Sequence, residues 1–219
     1  VFDLDRVRYK NILSVDSLCI PAGKVTCIIG ESGGGKTTLL RLLNKLISPD
    51  AGEIRFHGVP LSQINAVLLR RKVTMLSQET IIFPGTVREN LLVGLRFSEK
   101  QPAGDQALLD TLQLVCLEKQ LADQAEKLSG GEKQRLALGR LLLLDPEAFL
   151  LDEPSSALDE ETEKLLLRTL YQHIRATGKT LVMVTHSKAL ATQYGNLVVE
   201  INNGRICGLR EVAACEGNH

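Results

Sequence analysis

The first twenty residues alternate apolar and polar positions, in VFDLDRVRY and again in ILSVDSLCI, the period of half-exposed strands in an antiparallel sheet. After the Pro21-Ala22-Gly23 turn the pattern changes. Val25 to Ile29 is a near-continuous apolar run, suited to a strand buried on both faces. TTLLRLLNKL has helical spacing, Ser48 to Gly52 is a turn, and GEIRFHG reads as another strand. Residues 61–70 predict a short helix, and Lys72 to Leu76 a strand that ends at Ser77-Gln78. From Glu79 to Leu128 the spacing is helical, with a polar break between Glu99 and Asp105. KQRLALGRLLLL continues as a helix with Leu136, Arg140 and Leu143 on one stripe. Ala148 to Leu151 and Thr180 to Val184 are two more buried-strand runs with a helix between them, and LVVEI-NNG-RICGL is a hairpin.

Chemistry enters at the end of the Val25 strand, where Gly30 to Thr37 reads G-x-x-x-x-G-K-T between a strand and a helix. Glycines at 30, 33, 34 and 35 let successive N–H groups turn inward on an anion. Lys36 adds a mobile positive charge for the outer phosphates and Thr37 a hydroxyl for Mg²⁺, while the following helix adds its partial positive N-terminus. A chance match in a chain of this length has a probability of roughly 1 %, so a nucleoside triphosphate site is the expectation. The expected fold is α/β: a P-loop NTPase core with a mostly parallel sheet, an N-terminal antiparallel β-subdomain and an inserted α-helical subdomain. Residues 1–219 are expected to form a single domain, with 1–78 and 129–219 as the core and 79–128 as the helical subdomain.

Composition narrows the partners. Lys plus Arg and Asp plus Glu both number 26, so no net charge suggests nucleic acid as the main partner. Cysteines at 19, 27, 116, 207 and 215 form neither a disulfide framework nor a metal-ligand cluster, which fits a reducing compartment. Cys27, inside the P-loop strand, is expected to act as a small apolar residue. No run reaches the roughly 20 apolar residues that span a bilayer; Leu136 to Leu144 is broken by Gly139 and Arg140. The chain starts at Val1 with no methionine and no signal-like apolar region, as a trimmed or renumbered chain would.

In an open parallel sheet, ligands bind beyond the carboxyl ends of the strands. Four apolar strands here end in chemistry: VTCII in the P-loop, VTML in Gln78, FLL in Asp152-Glu153, and LVMVT in His186. Two adjacent carboxylates at a strand end are costly unless charge or water meets them. Asp152 can hold Mg²⁺, and Glu153, pointing the other way, can orient and deprotonate an attacking water. Leu128-Ser129-Gly130-Gly131-Glu132 opens a helix and forms a second anion-binding element, or a simple N-cap. Tyr9 is either a base-stacking ring or an ordinary strand tyrosine. Ile81, Ile82 and Phe83, beside Pro84-Gly85-Thr86, either close the helical subdomain's own core or form an apolar patch that receives a partner.

Taken together, GESGGGKT, Gln78, LSGGE, FLLDEP, SALD and His186 resemble the nucleotide-binding subunit of ABC transporters over essentially the whole chain. The resemblance implies ATP held by Tyr9, Gly30, Glu31, Ser32, Gly33, Gly34, Gly35, Lys36, Thr37 and Thr38, with Mg²⁺ on Thr37, Gln78 and Asp152. It implies catalytic roles for Glu153, His186, Gln78 and Lys36. It also implies a second copy of the chain packed head to tail, so that Leu128, Ser129, Gly130, Gly131 and Glu132 of one copy meet the ATP of the other, with Ser156, Ala157, Leu158 and Asp159 as a dimer-contact loop. A separate integral-membrane transporter subunit would dock near Ile82, Phe83 and Pro84, placing the chain in the cytoplasm, peripheral on the inner face of the membrane. IFPGTVRENL resembles exporter-type cassettes and the small subunits assigned to metal-ion export. One departure stands out: the usual glutamine that closes LSGGQ is Glu132. The alternative, a soluble mechanical ATPase of the same fold acting on nucleic acid or ribosomes, usually carries a coiled-coil insertion or a duplicated cassette, and this sequence shows neither.

Overall fold

The computed structural model describes residues 1–212; Cys215 lies outside them. The elements run β1 (Phe2–Tyr9), β2 (Leu13–Ile20), β3 (Val25–Ile29), α1 (Lys36–Leu43), β4 (Ala51–Phe56), β5 (Val59–Pro60), α2 (Ala66–Lys72), β6 (Val73–Leu76), α3 (Val87–Phe97), α4 (Asp105–Leu114), α5 (Gly130–Leu142), β7 (Ala148–Asp152), α6 (Glu160–Thr177), β8 (Thr180–Val184), α7 (Lys188–Tyr194), β9 (Leu197–Asn202) and β10 (Arg205–Glu211). The helix expected at 61–70 is broken in two. Leu61–Gln63 forms a single 3₁₀ turn, and Asn65 then starts α2 by accepting the Val67 and Leu68 N–H groups. An asparagine inside an otherwise helical pattern favours the cap over the helix interior.

The chain divides into two compact units. The first comprises Val1–Met75, Glu147–Asp152 and the described residues from Ile174 onward. Its strands join one sheet in the order β5-β4-β1-β2-β10-β9-β3-β8-β7-β6. The amino-terminal strands pair antiparallel, as their alternation predicts, and β3 runs parallel to both β8 and β9, with β7 parallel to β8. The two styles meet where β10 lies parallel to β2 at Arg205 and Ser14. All five residues of each of β3, β7 and β8 are buried, which explains their unbroken apolar runs. Leu39, Leu40, Leu42 and Leu43 of α1 pack with Ile28, Leu150, Val182 and Val184, and the same cluster reaches Phe2, Leu4, Val7 and Val15. Burying each leucine contributes about 1.5–3 kcal/mol, and together they fix the helix that follows the P-loop against the sheet.

The second unit comprises Leu76–Pro146 and Glu153–His173. Thr86 starts α3 with a capping box, its side chain accepting the Glu89 N–H while Glu89 accepts the Thr86 N–H. Leu91 of α3, Leu108 and Leu112 of α4, and Leu136 and Leu138 of α5 are buried in this unit. A Cβ at Gly139 would meet Leu91 and Thr111 side chains at 3.2 Å, so the glycine that interrupts the leucine-rich stretch is where helices come close.

Candidate active site

The register of the parallel strands brings three of the predicted strand ends to one row. Ile28 pairs with Val184, and Val184 pairs with Asp152. The P-loop, Thr185-His186 and the Asp152 carboxylate therefore leave the sheet at the same level. Asp152 is 2 % exposed, and His186 is exposed at the surface just before the Ser187 cap of α7.

Within the P-loop the chain is held by its own donors and by the β9–β10 hairpin. Lys36 Nζ donates to the Gly30 carbonyl at 2.9 Å and to the Glu31 carbonyl at 2.7 Å, and the Gly34 N–H donates back to Glu31 at 3.2 Å. The lysine thus folds back on the loop, its ammonium held by two of the loop's carbonyls. Gly30 has φ +142°, and a Cβ there would lie 1.9 Å from the Ile201 carbonyl oxygen. The Gly204 N–H, from the turn of the hairpin, donates to Gly34 O at 3.1 Å. The first N–H groups of α1 have no carbonyl within the helix to receive them, and Ser32 and Gly33 are exposed. The loop therefore presents donors outward on a buttressed backbone. Thr37 and Thr38 are half-buried on the first turn of α1.

Tyr9 ends β1, packs partly into the core cluster and carries Lys10 Nζ at 5.3 Å from its ring centroid. The turn that follows it lies against the P-loop, since a Cβ at Gly35 would be 3.1 Å from the Ile12 carbonyl. Cys27, fully buried in β3, has its thiol pushed up to about 12 by desolvation, so it is an apolar side chain at neutral pH. His57 is a half-exposed turn residue paired with Glu147 at 3.3 Å.

In the second unit Gln78 Nε2 donates to Glu153 Oε2 at 3.2 Å. Glu153 has φ +52°, a left-handed conformation unusual for a side chain with a Cβ. The residue that braces it escapes sequence reasoning. Gln134, on α5 and 4 % exposed, donates from Nε2 to the Glu153 carbonyl at 2.9 Å and accepts the Ala157 N–H at 3.4 Å. Its only sequence signal is a polar residue on a helix start already noted for other reasons. Gly131 of the same helix lies so close to the 156–159 turn that a Cβ would meet Leu158 Cδ2 at 2.9 Å and Ala157 O at 3.0 Å. Asp159 caps α6, accepting from Thr162 N at 2.9 Å and Thr162 Oγ1 at 2.7 Å, bonds that hold its carboxyl below the ordinary range.

Leu128 is buried, and Ser129 starts α5 through a second capping box. Its N–H donates to Glu132 Oε2 at 2.8 Å, and the Glu132 N–H donates to Ser129 Oγ at 3.3 Å. Gly130 faces open space. Phe83 is half-buried: Asn90 bonds both its N–H and its carbonyl at 2.9 Å, and its ring meets Phe97 at 6.0 Å and Arg140 at 5.2 Å. Ile82 is half-buried too, whereas Ile81 is 67 % exposed. Phe83, Pro84, Leu92, Val93, Phe97 and Lys100 are among the residues lining a groove of about 610 Å³. Among the described residues no helix is long and apolar enough to cross a membrane.

Comparison with known proteins agrees with this geometry. The sulfate/thiosulfate import ATP-binding protein CysA of Salmonella typhi is 39 % identical over 207 residues, 92 % of this chain and 56 % of that protein. The chain spans a little over half the length of CysA and of other curated relatives that it matches. The dimeric, post-hydrolysis structure of the ATP-binding cassette MJ0796 bound to ADP and Pi superimposes with a TM-score of 0.86 at 27 % identity, covering 98 % of this chain and all of that one. A bacterial Atm1-family ABC exporter with ATP bound superimposes with a TM-score of 0.87 at 25 % identity, over 96 % of this chain and 38 % of that one. The family model described as ABC transporter matches residues 13–156, and the chain belongs to that family.

Proposed function

We propose that this cassette binds and hydrolyses Mg-ATP at sites shared between two head-to-tail copies and thereby powers transport through a membrane-spanning partner. The observation that supports it best is the common row of strand ends at the P-loop, Asp152 and His186. In this reading the P-loop backbone and Lys36 hold the β- and γ-phosphates, Tyr9 stacks on the base, and Ser129 with the Gly130 and Gly131 N–H groups of the second copy meets the γ-phosphate. Glu153 takes a proton from water as its oxygen attacks the γ-phosphorus. The bond to the β–γ bridging oxygen breaks, its electron pair leaves on ADP, and Lys36 and His186 stabilise the charge on the γ-phosphate.

Thr37 and Asp152 fit Mg²⁺, since hydroxyl and carboxylate oxygens are donors it takes, and the family resemblance adds the amide carbonyl of Gln78. Asp152 is 2 % exposed and stands in the row of strand ends that holds the P-loop. Bound there, Mg²⁺ supplies charge neutralisation on the phosphates. The groove beside Phe83, with exposed Ile81 and Phe97 near it, is the surface that would take the membrane partner, holding the cassette peripheral on the inner face of the membrane. Outward transport, of a metal ion in particular, is the direction and cargo that the IFPGTVRENL resemblance favours. ATPase assays of the chain and of Glu153→Gln test the chemistry: the variant is expected to bind Mg-ATP and turn over at under about 1 % of the parent rate. Normal turnover would remove Glu153 from its role.

A further inference from the structure

The helix start at Ser129 carries a full negative charge beside the place where it is read as meeting a phosphate. The capping box consumes the Ser129 and Glu132 N–H groups, leaving those of Gly130 and Gly131 as outward donors. Because Ser129 Oγ already accepts from Glu132, its own O–H is the group left to donate. A neutral glutamine at position 132 could accept the Ser129 N–H equally well. Glu132 accepts it as an anion: the Ser129 N–H first, and then a lysine, hold its carboxyl below the ordinary range. A carboxylate on the first turn stabilises the helix, but it repels an incoming polyphosphate.

The lysine is Lys119, whose Nζ lies 2.9 Å from Glu132 Oε1, the oxygen not used by Ser129. Lys119 projects from the segment after α4, which Leu117 and Leu121 anchor in the core and which the Gln120–Asp123 turn closes. The two side chains are 32 % and 23 % exposed, so the pair is partly shielded from screening by salt. We propose that Lys119 is a positioning and charge-compensating residue of the 128–132 loop, pairing with Glu132 so that an acidic residue is tolerated at a helix start that must receive the γ-phosphate of a second copy's ATP. This inference rests on the head-to-tail reading above.

The test is the Mg-ATP concentration for half-maximal dimerisation, followed by sedimentation in the Glu153→Gln background. Lys119→Met raises it about three- to tenfold and Glu132→Gln lowers it, while the double substitution returns it to within about twofold of the parent. Lys119→Arg, which keeps the charge, stays within about twofold. Melting curves of each variant show that it is folded; a purely structural lysine would lower the melting temperature and keep its effect after Glu132→Gln. A Lys119→Met effect that is absent, or that persists undiminished in the double variant, overturns the charge-compensation role alone. A Glu153→Gln chain that stays monomeric at saturating Mg-ATP overturns the head-to-tail reading, and this inference with it.

Discussion

Gln134→Leu removes an amide that touches no nucleotide in this account and yet should slow turnover. Leucine is close in size, so the main loss is polar. The Glu153 carbonyl loses a 2.9 Å bond and the Ala157 N–H a weaker 3.4 Å one, both beside a side chain that is 4 % exposed. The Glu153 carbonyl keeps the Ser156 N–H at 3.3 Å, so what is lost is the net worth of the two Gln134 bonds, about 1–2 kcal/mol together. Glu153 also sits at φ +52°, a conformation costing about 1–2 kcal/mol that its surroundings must hold in place. That loss of about 1–2 kcal/mol is shared between stability and the aim of Glu153, whose strained backbone is then less firmly held. Each kcal/mol is worth about 2–4 °C in a domain of this size, so the melting temperature should fall by roughly 2–8 °C. The share that misplaces the base should lower kcat by up to about 5- to 30-fold. Steady-state ATPase kinetics separate the effects: the P-loop belongs to the other unit, so KM for ATP should move less than about threefold. A folded Gln134→Leu protein with unchanged kcat would refute the bracing role, as would a loss confined to KM.

Gly30→Ala should abolish ATP binding or folding, because its Cβ would lie 1.9 Å from the Ile201 carbonyl at φ +142°; an intact nucleotide affinity by equilibrium dialysis would contradict the buttressed-loop geometry. The Glu132 carboxyl is held below its ordinary value of 4.5, so the stability it contributes is complete above that value and is lost as pH falls through the lower folded value. Glu132→Gln should therefore flatten the fall in melting temperature below about pH 4.5; parallel pH curves for the two proteins would contradict it.

The fold was legible wherever one segment's pattern sufficed. The unbroken apolar runs at Val25, Ala148 and Thr180 became the doubly buried β3, β7 and β8, and the alternation at the amino terminus became β1 and β2. What stayed hidden were pairings between distant segments. The NNG hairpin could be read as a hairpin, but no periodicity says that Gly204 will brace Gly34 across 170 positions. Gln134 reads as solvent-facing in a polar helix start, and only the turn packed over Gly131 makes it a buried brace. Lys119 is likewise one charge among many until the fold places it on Glu132. Asn65 is a different miss, a local cap signal overridden by the apolar spacing around it.

The central claim is that two copies share their nucleotides, and sedimentation of Glu153→Gln with and without Mg-ATP tests it most directly. The account predicts a monomer that becomes a dimer only when Mg-ATP is present. A chain that remains monomeric at saturating Mg-ATP while the unsubstituted protein hydrolyses ATP briskly would contradict it.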